Sequence, residues 1–196
     1  MEEIVDIKKY ARKNQVPIMK DDGMDFICSY IREHNVKRVL EIGTAIGYSA
    51  IQFAKVRDDV TVLTIEREID KVIRAKQNFH DNGLEDRITV LNEDALMAND
   101  VTGEFDLIFI DAAKAQYIKF FEKYKVNLAP DGVIISDNLS FHGMVEDFSL
   151  TKSKDTIRML KKIRKYIDFL KENQEFETEF FKVGDGISVT KRKKQS

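Results

Sequence analysis

The stretch KRVLEIGTAIGYSAIQFAKVRDDVTVLTIE, residues 37–66, decides the fold. KRVLEI (37–42) is a short, β-branched apolar run ending at a glycine, the pattern of a buried strand. Residues 48–55 read as a helix, and VTVLTIE (60–66) as a second strand. The alternation continues outward. A helix is expected over 68–82, stopped by Gly83. RITVLN (87–92) and FDLIFID (105–111) are further strands, a helix covers about 115–128, and Pro130-Asp131-Gly132 turns into a fifth strand, VIISDN. Near-continuous apolar strands alternating with helices imply a parallel sheet covered on both faces.

Upstream, residues 1–14 read as a helix, VPIMKDDG breaks it, and 24–34 reads as a second. Downstream the pattern changes. Ile157, Leu160, Ile163, Ile167 and Leu170 fall at helical spacing over 154–170. FETEFFKV and GISVTKR then flank Gly184-Asp185-Gly186, a tight-turn signal that predicts an antiparallel pair. The whole is an α/β chain, read as a single domain over 1–196 with a helical N-terminal extension over 1–35. Its architecture resembles the Rossmann-like class I methyltransferase fold: a seven-stranded, mostly parallel sheet with an antiparallel C-terminal hairpin and helices on both faces. A dinucleotide-binding dehydrogenase tends to end in further parallel units.

Composition sets bounds on function. Charged residues are 34% of the 196, but the signs nearly cancel at a net −2, so only local clusters can point to a partner. The single cysteine, Cys28, permits no intramolecular disulfide and reads as a core thiol. The first residues, MEEIVDIKKYARKN, are charged throughout, unlike a secretory signal. No apolar run reaches the roughly 18 residues that would span a bilayer. The expectation is a cytoplasmic protein without membrane contact.

Candidate site residues gather where parallel strands end. VLEIGTAIGYS (39–49) places Gly43 and Gly47 between a strand and a helix, where glycine allows a tight turn and close approach of a ligand to backbone amides. The spacing is G-x-x-x-G and lacks the third glycine of a dinucleotide fingerprint; a plain packing turn stays open. Glu66, ending the second strand, can accept both hydroxyls of a ribose, or be a solvated strand-end acid. Asp94 and Ala95, after the third strand, can border an adenine, or the aspartate can cap a turn. Together these positions describe a nucleoside with a small charged tail, which suits S-adenosylmethionine.

Two further strand ends carry acids. FIDAAK presents Asp111 with Lys114, and IISDN presents Asp137 with Asn138. If those strands are neighbours, three hard oxygen donors converge, a set that suits Mg²⁺. His34, His80 and His142 are scattered, and a zinc site is not expected. Lys114 beside a dication should have a depressed pKa and serve as a base. The competing reading, helix caps, is weaker for the D-x-x-K and D-N pairs together than for either alone.

These motifs, with VPIM, EIGTAIGYS, IE at 65–66, DA at 94–95, IDAAKAQY, GVIISDN and VGDGISVTKR, resemble the Mg²⁺-dependent, S-adenosylmethionine-dependent O-methyltransferases of the catechol and caffeoyl-CoA type. The resemblance implies that Asp111, Asp137 and Asn138 ligate the metal and that Lys114 is the catalytic base. It implies cofactor contacts by Glu41, Gly43, Gly47, Ser49, Glu66, Asp94, Ala95 and Asp111, with Ser49 on the methionine carboxylate. The acceptor would offer neighbouring oxygens, as a catechol or a 5-hydroxyuridine does.

Lys152, Lys154, Arg158, Lys161, Lys162, Arg164 and Lys165 crowd against one acid, Asp155, and the tail adds Lys191, Arg192, Lys193 and Lys194. Such a cluster can follow a phosphate backbone, or be a solvated helix face. With DNLSFHGMV and the chain's ending, it resembles the bacterial tRNA 5-hydroxyuridine methyltransferases, which implies tRNA as acceptor; a small catechol-like molecule is the alternative. The residue before GDG departs from that group's pattern, a valine standing for the usual proline. A homodimer is expected, with Ile4, Val5 and Ile7 able to build its interface or to cover the site. A non-catalytic binding module would need a damaged metal or base position, and all four residues are present.

Overall fold

The computed structural model describes residues 2–194, with side chains from Ile7 onward. Two helices lead, α1 (Glu2–Lys13) and α2 (Asp21–Glu33), followed by β1 (Arg38–Ile42), α3 (Tyr48–Lys55), β2 (Thr61–Ile65), α4 (Ile69–Asp81) and β3 (Ile88–Leu91). Then come β4 (Phe105–Ile110), α5 (Tyr117–Tyr124), β5 (Leu128–Ser136), α6 (Lys154–Lys171), β6 (Phe176–Phe181) and β7 (Ile187–Arg192). One seven-stranded sheet has the order β3-β2-β1-β4-β5-β7-β6, with β7 antiparallel to both neighbours and the other pairs parallel. The architecture agrees with the expected one.

Side chains alternate between two cores with the period of two that a strand imposes. Val39, Leu107, Phe109, Val133 and Ile135 face a core with Ile27 and Ile31 of α2, Phe53 of α3 and Phe79 of α4. Leu40, Ile42, Ile108, Ile110 and Ile134 face the opposite core, with Phe121 of α5 and Leu160, Ile163 and Tyr166 of α6. Burial on both faces explains why these strands lack polar alternation.

Four readings need correction. Ile7 is buried in the first core and has little surface left for a dimer interface; the side chains of Ile4 and Val5 lie outside the described residues. Helix α2 starts at Asp21, where Asp21 and Asp22 supply first-turn acids and Gly23 packs against the backbone of Gly184. The helix expected over 115–128 is α5 alone, flanked by 3₁₀ turns at Lys114–Gln116 and Lys125–Asn127; such tightening is common at helix ends. Pro130-Asp131-Gly132 lies inside β5, because the pairing to β4 jumps from Phe105↔Leu128 to Leu107↔Val133. A bulge at that point accommodates a residue without an N–H. Cys28 is half-buried at the edge of the core, and burial pushes its thiol pKa up to about 11.

Candidate active site

A cavity of about 790 Å³ opens at the carboxyl ends of β1 to β5. That size suits a ligand such as a nucleoside-based cofactor. Ser49, Gly43, Glu66, Asp94, Ala95, Asp111, Lys114, Asp137 and Asn138 all line it. Glu41 and Gly47 lie just behind these lining residues.

The glycine loop owes its shape to close approach. Gly43 has φ of +106°, and a Cβ there would collide with the carbonyl oxygen of Asp111. Gly47, at the start of α3, has φ of +82° and is pressed against the Phe79 ring. Between them the Ala45 amide donates to Glu66 Oε2 at 3.0 Å, and Glu68 N donates to Glu66 Oε1 at 3.0 Å. Each carboxylate oxygen keeps a lone pair for another donor. Asn92, which the sequence reading passed over, donates from Nδ2 to the carbonyls of Glu66 and Arg67 at 2.9 and 3.1 Å and fixes this strand end. Asp94 does cap a turn, accepting from Leu96 N at 2.8 Å, while still facing the cavity.

Glu41 lies behind the wall. It is 0% exposed and accepts hydrogen bonds from the hydroxyls of Ser49 and, at 2.5 Å, Thr64, which in turn meets Thr44 Oγ1 at 2.6 Å. Burial pushes the Glu41 carboxyl up to about 7, against the pull of those two hydroxyls. The Ser49 hydroxyl proton is committed to Glu41, leaving lone pairs toward the cavity.

The second corner forms because β4 and β5 are adjacent and in register at Ile110↔Ser136, so the next residues, Asp111 and Asp137, emerge side by side. Asn138 has φ of +65° and donates from Nδ2 to Asp137 Oδ2 at 2.9 Å and Asp111 Oδ1 at 3.2 Å. Asp137 is 3% exposed and its Oδ1 is buried with no partner. Burial first, then the neighbouring Asp111 charge, push its carboxyl up to about 7.

Lys114 Nζ lies 2.8 Å from Asp111 Oδ1 and over the Tyr117 ring. Burial alone would lower its pKa, but Tyr117 and Asp111 outweigh it and the ammonium is held well above the usual lysine range. The depressed value expected from the sequence belongs to a lysine beside a dication; Tyr117 and Asp111 alone act in the opposite direction. Tyr117, three residues on, anchors the corner by donating to the Asp137 carbonyl at 3.1 Å; its place in the IDAAKAQY motif was the available signal.

Among the described residues no three His, Cys, Asp or Glu side chains are placed to hold a metal. The corner offers two carboxylates and an amide. It fits a hard cation on two counts: the unpartnered Asp137 oxygen wants a positive neighbour, and turning the Asn138 amide would present its oxygen in place of Nδ2.

A family model described as O-methyltransferase matches residues 1–193. The chain belongs to this O-methyltransferase family. A caffeoyl-CoA O-methyltransferase from Populus kitakamiensis is 26% identical to it over 94% of this chain and 82% of its own. A solved structure from Staphylococcus aureus is 39% identical with a TM-score of 0.91, covering 97% of this chain and 92% of that one. A Bacillus cereus O-methyltransferase solved in complex with SAH is 25% identical with a TM-score of 0.82, covering 98% and 91%. The methyltransferase is thus S-adenosylmethionine-dependent, as its family is. No described helix is long and apolar enough to cross a membrane.

Proposed function

We propose that this methyltransferase places the methyl group of S-adenosylmethionine on one hydroxyl of an aromatic ring bearing two neighbouring oxygens, with a divalent cation such as Mg²⁺ held by Asp111, Asp137 and Asn138. The unpartnered, buried Asp137 oxygen beside a second carboxylate carries the reading. The similarity to a caffeoyl-CoA enzyme supports the acceptor, since a caffeoyl ring carries two neighbouring hydroxyls.

Bound at this edge, the cation would supply Lewis acidity to an acceptor hydroxyl, and the cofactor an already activated methyl. Glu66 would take the ribose hydroxyls with its remaining lone pairs, and Asp94 with Ala95 would border the adenine. The start of α3 has no side-chain cap, so its free amides suit the methionine carboxylate. Ser49, with its proton on Glu41, suits the ammonium instead, a change from the role the family resemblance suggested. Lys114 keeps its proton as long as Asp111 is its partner. Its service as base requires Asp111 to be engaged by another cation, which couples the base to the metal position.

A second acceptor, tRNA carrying 5-hydroxyuridine, is favoured by one observation. Lys152, Lys154, Lys161, Lys162 and Lys165 are exposed along and just before α6, and among the described residues none has an acidic partner. The deciding experiment incubates the enzyme with methyl-labelled cofactor and Mg²⁺, with caffeic acid in one arm and 5-hydroxyuridine-containing tRNA in the other. Label in caffeic acid is expected. Label in tRNA alone transfers the assignment to the second acceptor, and label in neither defeats both.

A further inference from the structure

The Gly184-Asp185-Gly186 turn does more than reverse the chain between β6 and β7. Asp185 is the meeting point of three segments that border the cavity mouth. Its Oδ1 lies 2.6 Å from Lys20 Nζ, in the connector between α1 and α2, and 3.0 Å from His142 Nδ1, in the loop after β5. All three residues line the cavity, and Asp185 is the least exposed, its side chain 14% accessible. The backbone repeats the pattern. Ser140 N donates to the Asp185 carbonyl at 2.7 Å, Leu139 N to the Gly186 carbonyl at 2.9 Å, and Gly184 N to Asp22 Oδ2 at 3.1 Å. Gly186, at φ +87°, leaves no room for a Cβ, which would sit 2.7 Å from Ser140 N. The loop held this way starts directly after Asn138, and Phe141 and His142 both adopt left-handed φ values, +46° and +58°. Backbone in that region persists only where its surroundings hold it.

We propose that Asp185 is a positioning residue for the acceptor: it ties the Lys20 connector and the His142 loop across the cavity mouth and so sets the width through which the acceptor reaches Asn138. Its carboxylate acts through Lys20 and His142 and touches no reacting atom. A single surface ion pair contributes little to stability. The consequence is therefore expected in local order and acceptor affinity rather than in global unfolding.

The acceptor arm of the test rests on the catechol reading above; the exchange arm does not. In the whole 196-residue chain, Asp185→Asn is expected to speed amide hydrogen exchange in 16–22 and 138–146 together by about tenfold, leaving β1 to β4 unchanged. With caffeic acid it should raise the acceptor KM about tenfold while SAH affinity stays within about twofold. Lys20→Met should reproduce the effect in 16–22 and His142→Leu in 138–146, neither combined with Asp185→Asn should be worse than Asp185→Asn, and Asp185→Glu should recover part of it. Lys20→Met and His142→Leu carry the test between them, each in its own segment, if the aspartate variants do not fold. Exchange unchanged in either segment overturns the proposal, as does an unchanged acceptor KM or an SAH affinity that weakens in step with it. A parent enzyme inert toward caffeic acid counts against the acceptor reading alone, and the exchange arm then decides the tie.

Discussion

At the residue scale the informative contrast is between Lys114 and Asp137, which share one corner and depart from their ordinary pKa values for different reasons. Lys114 is held charged by Asp111 and Tyr117 against the effect of burial, whereas Asp137 is pushed toward its neutral form by burial and by Asp111. Replacing Lys114 with Met should therefore lower kcat by roughly 10²–10⁴, the range for loss of a general base. SAH affinity, measured by calorimetry, should stay near the parent value, because the Glu66 corner is untouched. A parent-like kcat in this variant would remove Lys114 from the chemistry. The identity of these residues was legible in the D-x-x-K and D-N spacings. Their charge states were not, since those depend on which side chains the fold brings against them. Glu41 shows the same limit: the sequence marks an acid before the glycine loop, but its 0% exposure follows from the period of two that points it, with Val39, toward α3.

At the element scale, β1, β2 and α3 are joined beneath the loop by one polar network, Ser49–Glu41–Thr64–Thr44. Buried carboxylates are costly when charged, and this one's pKa is raised to about 7 from an ordinary 4.5. The folded state then binds a proton more tightly than the unfolded chain does. The resulting stabilisation is fully present below pH 4.5 and is lost as pH rises through 7. Asp137 contributes with the same sign, so the parent should lose stability over that interval from both groups. Glu41→Gln removes one of them. Urea unfolding at a series of pH values should show the variant losing about 3 kcal/mol less than the parent between pH 4.5 and 8. Equal slopes in the two proteins would mean that Glu41 does not titrate in this range. The strands themselves were legible because double-sided burial leaves an unbroken apolar run. The Pro130-Asp131-Gly132 bulge was not, because a turn and a bulge use the same residues and only the pairing with Phe105 and Leu107 separates them.

At the scale of the whole molecule, the strand order divides the site. β1 leads outward to β2 and β3 on one side and to β4 and β5 on the other, a switch point where open parallel sheets bind ligands. The glycine loop, Glu66 and Asp94 sit on the first side, and Asp111, Asp137 and Asn138 on the second. Each half should therefore stabilise the fold independently when filled. SAH at about 100 times its Kd should add about 2.7 kcal/mol. That corresponds to a rise in Tm of roughly 5–10 °C for a domain of this size. NAD should give no rise, since the loop lacks the glycine spacing for a pyrophosphate. Mg²⁺ alone should raise Tm by a smaller amount, because it relieves the crowded carboxylates. Asp137→Asn removes that crowding and the unpartnered charge at once. The variant should lose the Mg²⁺ shift and keep the SAH shift. Loss of both together would show the two corners to be one cooperative site, and survival of the Mg²⁺ shift would place the cation somewhere other than the ends of β4 and β5.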